Sequence, residues 1–436
     1  MDRFVIEGGA RLEGRVAVAG AKNAVLPLMA AALLTREGVR IENAPELADV
    51  ATMRALLVQL GCRVGGAEDG GGGGPGNAPA GSVLEVACAD DPEPVAPWDH
   101  VRKMRASVCV LGPLLARRGR AQVSLPGGCV FGVRPIDVHL KGFEALGARV
   151  RIEHGFVVAE APPGGLRGAE LFLGTPFGSS VTGTMNVLMA AVLARGRTVI
   201  HGAACEPEVA DLARCLVAMG ARIRGAGSPR LEVEGVEQLG SAVYRVPPDR
   251  IEAGTFLIAG ALTGGRVRVE GCRPEDLTVL LDRLTEAGVA VERGPDWLET
   301  QPREGGLRPR PTDVTTQPFP GFPTDLQAQW MALMCLADGF SIITERIYPD
   351  RYMHLPELLR MGAVIRRQGS AAVVQGVPQL SGAPVTASDL RASAALVLAG
   401  LVARGTTEVH RVYHIDRGYA RIEERLQAVG ANIRRE

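Results

Sequence analysis

Six times along its 436 residues the chain closes an amphipathic stretch with nearly the same phrase. The copies are Gly61-Cys62-Arg63-Val64, Gly147-Ala148-Arg149-Val150, Gly220-Ala221-Arg222-Ile223, Ala287-Gly288-Val289-Ala290-Val291, Gly362-Ala363-Val364-Ile365 and Gly430-Ala431-Asn432-Ile433. Self-similarity at a fixed period is the strongest constraint a sequence places on its fold. Before each phrase runs a helical stripe, such as Met53, Leu56, Leu57 and Leu60, or Leu277, Leu280, Leu281 and Leu284. The glycine ends that helix and a short strand follows.

Each copy also contains a second helical stretch, apolar almost all round, at 24–34, 107–116, 181–194, 254–263, 326–337 and 392–403. A helix without a polar face has to be enclosed on every side. Short strands are expected after these helices, at 40–43, 121–125, 198–201, 266–270, 341–344 and 407–410. The unit therefore reads as buried helix, strand, amphipathic helix, strand. Three units wrapped around three buried helices make one domain, and two such domains account for the chain. The expected fold class is α/β, with two inside-out α/β barrels of three βαβαββ-type units each and buried parallel helices. The expected domains are 22–247 and 1–21 plus 248–436, with the boundary near Pro247-Pro248. Residues 1–21 read as strands that pair with the second half. Residues 68–81 (EDGGGGGPGNAPAG) read as a flexible surface loop without chemistry.

Lys plus Arg equals Asp plus Glu at 48 each. No global field draws in nucleic acid or an anionic membrane, so any anion site is built locally. The first seven residues lack the basic-then-apolar pattern of a signal peptide, and no apolar run reaches the length of a membrane span. The eight cysteines show no metal-ligand spacing and read mostly as small core residues in a reducing, cytoplasmic setting.

Charge gathers where the buried helices begin. The first opens with Lys22-Asn23, the second with Arg105, the fourth with Arg250 and the sixth with Arg391. The third opens with Ser179-Ser180, neutral donors, and the fifth with an acid, Asp325. Cations are disfavoured at helix N-termini, where the dipole attracts anions instead. Solvated surface charge explains one such residue, but four together point to an anionic ligand. Parallel helices would bring these ends to one rim in each domain, and two facing rims would make a cationic cleft with one carboxylate. A Gly-rich stretch from Pro126 to Pro135 adds Cys129 and Arg134, a thiol made more acidic by a nearby cation. Tyr413-His414-Ile415-Asp416-Arg417-Gly418-Tyr419 adds Arg417 as a ligand contact, with His414 and Asp416 as structural partners. No GxxxxGK[ST], HExxH, GxSxG or dinucleotide fingerprint occurs, which argues against NTP hydrolysis, zinc proteolysis, ester hydrolysis and hydride transfer.

Seven motifs in order carry a family likeness: Gly20-Ala21-Lys22-Asn23-Ala24, Met104-Arg105-Ala106-Ser107, Leu125-Pro126-Gly127-Gly128-Cys129, Arg134-Pro135-Ile136-Asp137, Phe322-Pro323-Thr324-Asp325, Ser388-Asp389-Leu390-Arg391-Ala392-Ser393 and His414-Ile415-Asp416-Arg417-Gly418-Tyr419. Together they resemble the UDP-N-acetylglucosamine 1-carboxyvinyltransferases of the EPSP synthase superfamily. The resemblance implies two inside-out α/β barrels and a reaction without cofactor or metal. Phosphoenolpyruvate and UDP-N-acetylglucosamine would yield an enolpyruvyl ether at the sugar 3-hydroxyl and inorganic phosphate, opening peptidoglycan precursor synthesis. It implies Cys129 as the acid toward the methylene carbon and Asp325 as the base toward the hydroxyl. Lys22, Asn23, Arg105, Arg134 and Arg417 would hold phosphoenolpyruvate. Asn23, Arg105, Arg134, Pro135, Ile136, Asp137, Val138, Asp325 and Ile347 would line the nucleotide-sugar site, supported by Arg351, Asp389, Leu390 and Arg391. No protein partner is implied. One stretch departs from the family: Thr175-Pro176-Phe177-Gly178-Ser179-Ser180 stands where members usually carry Ser-Val-Gly-Ala-Thr, so the exact acceptor is the less constrained part of this expectation.

Overall fold

All six repeat glycines adopt positive φ, between 80° at Gly288 and 104° at Gly220, a backbone conformation that costs other residues far more. The next residue's amide then reaches back to close the helix. Cys62 donates to Leu57 O, Ala148 to Phe143 O, Ala221 to Leu216 O, Val289 to Leu284 O, Ala363 to Leu358 O and Ala431 to Leu426 O, at 2.8–3.1 Å. Each copy thus ends its outer helix in the same left-handed cap and turns into a strand.

The computed structural model describes residues 2–68, 81–88, 91–125, 136–302 and 308–436. Most of the expected loop at 68–81 and the whole stretch from Pro126 to Pro135, with Cys129, Arg134 and Pro135, lie outside them. The described residues divide into two compact units, one made of those within Gly20–Pro247 and the other of those up to Ala19 with those of Pro248–Glu436.

Six four-stranded sheets occur among the described residues, and all share one pattern. A short edge strand pairs in parallel with the strand after a buried helix, which pairs antiparallel with one strand of a further antiparallel pair, a hairpin in five sheets and the two chain ends in the sixth. In the fifth copy Val314–Thr315 lies parallel to Phe340–Thr344, which pairs antiparallel with Ala371–Gln375, itself paired with Val364–Gln368. Distant strands close each barrel. Ala242–Arg245 supplies the parallel edge for Val39–Ala44, at the opposite end of its unit. Glu13–Ala17 does the same for Arg266–Glu270, and Arg3–Glu7 lies between Thr406–His410 and Asn432–Arg435. The N-terminal residues therefore pair with the second half of the chain.

The apolar helices lie inside these sheets. They run over Lys22–Ala31, Leu111–Arg118, Val181–Ala191, Arg250–Thr263, Gln327–Met334 and Leu390–Val402. The second and fifth are preceded by tighter 3-10 turns, Arg105–Val110 and Thr324–Leu326. Every residue of Gln327–Met334 is buried, including Trp330, whose Nε1 donates to Thr312 O at 3.3 Å. Each unit is an inside-out α/β barrel, with helices in its core and strands around it.

Two sequence readings need correction. The fourth and sixth helices are also opened by acids. Asp249 accepts from the amides of Ile251 and Glu252, and Asp389 from those of Arg391 and Ala392. The free amides of these helices are met by an aspartate one or two residues before the arginine. At the third helix Ser180 acts as an acceptor, taking the Gly183 amide. Among the cysteines, Cys62 and Cys88 form a disulfide across a hairpin instead of standing as separate core thiols. Cys109, Cys215, Cys272 and Cys335 are buried and free.

Candidate active site

In the unit completed by the C-terminal half, Asp325 sits in the 3-10 turn before the fifth buried helix, its side chain 25% exposed. Two buried arginines hold its carboxylate. Arg351 donates from Nη1 to Oδ1 at 2.8 Å, and Arg391 from Nη2 to Oδ2 at 3.2 Å. Burial works against the charge on Arg351, and Asp325, Asp389 and Glu345 more than offset it, so the guanidinium stays protonated. The sixth helix fixes Arg391: its amide and that of Ala392 are capped by Asp389, beside Leu390, the first residue of the helix.

Glu345 organises the neighbouring backbone. Fully buried, it accepts from the amides of Ile347 and Tyr348 and from the hydroxyls of Thr316 and Thr324, at 2.7–3.0 Å. Thr324 in turn accepts from Arg351 Nη1 at 3.0 Å. One carboxylate therefore ties the Ile347 loop to the residue beside Asp325. Sequence reasoning missed Glu345, because its hydroxyl partners Thr316 and Thr324 lie 29 and 21 positions away. Arg417 ends a 3-10 turn, Val412–Arg417, which packs against the sixth helix. His414 in that turn is pushed below its ordinary pKa by burial and then by the charge of Arg417. Asp416 pairs with Arg435 at 2.5 Å, a structural partnership as expected.

In the other unit Lys22, the first residue of the first buried helix, meets buried Asp49 at 2.7 Å, while Asn23 beside it is exposed. Asp49, on the helix Ala48–Gln59, had no signature in the sequence. Arg105 opens the turn that packs against the first helix. Next to it lies His139, 2% exposed and pushed down to about 3 by burial and then by the Arg105 charge. Its Nδ1 is 3.0 Å from Asn186 Nδ2, which also donates to Val108 O, while the Gly112 amide donates to Asn186 Oδ1. Since the amide nitrogen is donor-only, Nδ1 of His139 accepts. This junction anchors the helix Asp137–Ala145, whose start carries Ile136, Asp137 and Val138: Ile136 is buried, Val138 partly so, and Asp137 exposed. The divergent segment is a tight hairpin, Gly174–Thr175 with Gly178–Ser179, that leaves Phe177 exposed.

The geometry thus brings Asp325, Arg351, Arg391 and Asp389 together in one unit, and Lys22 near Arg105's turn in the other. Among the described residues no group of His, Cys, Asp and Glu is arranged to hold a metal, and no helix is long and apolar enough to cross a membrane.

Residues 6–426 match the family described as EPSP synthase (3-phosphoshikimate 1-carboxyvinyltransferase). The chain is 55% identical over 442 residues to the UDP-N-acetylglucosamine 1-carboxyvinyltransferase of Anaeromyxobacter sp. (strain Fw109-5), covering all of both proteins. It is 52% identical over 437 residues to the protein of that name from Rhodospirillum centenum, covering all of this chain and 99% of the relative. Among solved structures, the enolpyruvyl transferase NikO from Streptomyces tendae superimposes with a TM-score of 0.86 at 26% identity, over 100% of this chain and 98% of that one. EPSP synthase from Acinetobacter baumannii, at 17% identity and a TM-score of 0.72 over the full length of both, shares the fold. With a match that runs nearly end to end and relatives above half identity, the chain belongs to the EPSP synthase family and, within it, to the UDP-N-acetylglucosamine 1-carboxyvinyltransferases.

Proposed function

We propose that this chain transfers the enolpyruvyl group of phosphoenolpyruvate to the 3-hydroxyl of UDP-N-acetylglucosamine and releases phosphate. The observation that carries this reading is the carboxylate of Asp325, partly open to solvent and held from behind by two buried guanidiniums. Such a group is a positioned proton acceptor. Full-length identity with relatives of that name supports the substrates.

In this reading Asp325 takes the proton of the attacking hydroxyl as its oxygen bonds to the central carbon of phosphoenolpyruvate. Cys129 delivers a proton to the methylene carbon, making a methyl group and a tetrahedral intermediate. Loss of phosphate and of one methyl proton restores the double bond in the product. Cys129 can also form a covalent adduct with phosphoenolpyruvate. Lys22, Asn23, Arg105, Arg134 and Arg417 bind the phosphate and carboxylate, whose charge needs several fixed donors. Asn23, Arg105, Arg134 to Val138, Asp325 and Ile347 bind the nucleotide-sugar. Arg351, Asp389, Leu390 and Arg391 keep Asp325 in place. No cofactor or metal takes part.

The reaction commits material to peptidoglycan, and so to cell-wall growth, cell shape and division. We place the enzyme in the cytoplasm, where both substrates are made, and we expect fosfomycin to inhibit it. A second reading, transfer to another nucleotide or nucleotide-sugar, is favoured by the divergent hairpin at Thr175–Ser180. Phosphoenolpyruvate-dependent phosphate release with UDP-N-acetylglucosamine, UMP and shikimate 3-phosphate separates them. The first acceptor alone should support turnover, and preference for another would overturn the assignment.

A further inference from the structure

We infer that Tyr419 is a positioning residue for Asp325, acting through Arg391 and Gln329; this rests on Asp325 being the proton acceptor. Tyr419 is fully buried, and the reaction scheme gives it no task. Its hydroxyl collects two arms that reach Asp325 from different elements. Arg391 donates from Nη1 to the phenol oxygen at 2.9 Å and from Nη2 to Asp325 Oδ2. Gln329 Nε2 stands 3.0 Å from the backbone carbonyl of Asp325, 3.2 Å from Thr255 Oγ1 and 3.3 Å from the same phenol oxygen. The phenol oxygen therefore sets the carboxylate's guanidinium, and together with Thr255 Oγ1 it holds the amide that bonds the main chain at Asp325.

The proton direction follows from the partners. A guanidinium only donates, so the Tyr419 oxygen accepts from Arg391, while Gln329, with one amide hydrogen on Asp325 O, shares the other between this oxygen and Thr255 Oγ1. Its own proton then goes to Thr255 Oγ1 at 2.9 Å, and Thr255 donates onward to Ile251 O at 2.8 Å. Burial pushes the Tyr419 phenol above its ordinary pKa, which keeps this proton in place. Phenylalanine would fill the same space but leave Arg391 Nη1 without this acceptor. The guanidinium would then turn, and the carboxylate with it. The aromatic ring alone does not supply this: Arg391 Cζ lies 5.3 Å from its centroid, whatever the hydroxyl does.

The test measures kcat, both KM values and the pH dependence of kcat for Tyr419→Phe, alone and combined with Asp325→Asn. A misplaced base costs rate and not affinity, so kcat should fall about ten- to a hundredfold with both KM values within about twofold. In the Asp325→Asn background the substitution should have no further effect, because no base remains to be placed. An equal fall in both backgrounds, or a rise in KM at unchanged kcat, would overturn the inference. Thr255→Val keeps the phenol and removes the acceptor of its proton, so it should lower kcat in the same way by a smaller factor. If Tyr419→Phe does not fold, Thr255→Val decides, and wild-type kcat there overturns the inference. If Asp325→Asn itself turns over normally, the proton-acceptor reading fails. If it is inactive while Tyr419→Phe is fully active, the positioning role alone fails.

Discussion

Lys22 Nζ stands 2.7 Å from Asp49 Oδ2, with the lysine side chain 12% exposed and the aspartate 4%. The pair joins a residue assigned to phosphoenolpyruvate with one that has only a structural task. Lys22→Met should therefore lower stability by about 3 kcal/mol, since a buried carboxylate loses its ammonium partner. Adding Asp49→Asn should restore most of that stability but none of the activity. Urea titrations and turnover assays on the two variants check this. Recovery of turnover in the double variant would remove Lys22 from substrate binding.

A second buried pair holds the other unit together. Arg425 bonds Glu252 and also the carbonyl of Ala17, while Glu252 accepts the amide of Ala19 at 2.8 Å. The fourth buried helix, the last outer helix and the N-terminal strands are thereby joined. Glu252→Ala or Arg425→Ala should each cost about 3–5 kcal/mol, and the double variant clearly less than the sum. Additive losses in chemical denaturation would mean that the two groups act independently.

Acid should weaken both units through buried histidines. His139 is pushed down to about 3, by burial and then by Arg105, and His354 to about 4, mainly by burial. Folded, each stays neutral; unfolded, each binds a proton below about pH 6.5. The unfolded state therefore holds more protons between pH 4 and 6.5, and stability falls as pH drops through that window and is flat above it. From pH 7.5 to pH 5 the loss should be about 2 kcal/mol per histidine. His354→Gln should reduce the slope if it folds. A stability profile that is level down to pH 5 contradicts this.

An epoxide phosphonate such as fosfomycin should label Cys129 alone. Burial pushes the thiols of Cys109, Cys215 and Cys335 up to about 12 and that of Cys272 to about 11, which leaves them poor nucleophiles. Peptide mapping by mass spectrometry should find one adduct, on the peptide containing Cys129. An adduct elsewhere, or none, would remove Cys129 from its assigned role.

Much of the fold was legible because the repeat writes its punctuation six times. The strand expected at 266–270 is Arg266–Glu270, and that expected at 198–201 is Arg197–His201. The glycine caps were readable because a left-handed residue leaves a chemical signature. The basic helix starts were read too simply. Asp249 and Asp389 stand just before Arg250 and Arg391 and satisfy the same amides, so those arginines needed no bound anion to explain them. Arg391 turned inward to a carboxylate 66 positions away. Glu345, Asp49 and Cys62–Cys88 stayed hidden for one reason: their partners are fixed by packing between elements of one repeat copy and by hairpin pairing, which periodicity does not encode.

The most direct measurement is a stoichiometry on the purified chain with phosphoenolpyruvate, UDP-N-acetylglucosamine and a metal chelator. Phosphate is followed by colorimetry, and the sugar nucleotide by mass spectrometry and NMR. One enolpyruvyl ether at the 3-hydroxyl should form for every phosphate released, at a rate the chelator does not change. Phosphate without the ether, or no reaction with this acceptor, would contradict the account.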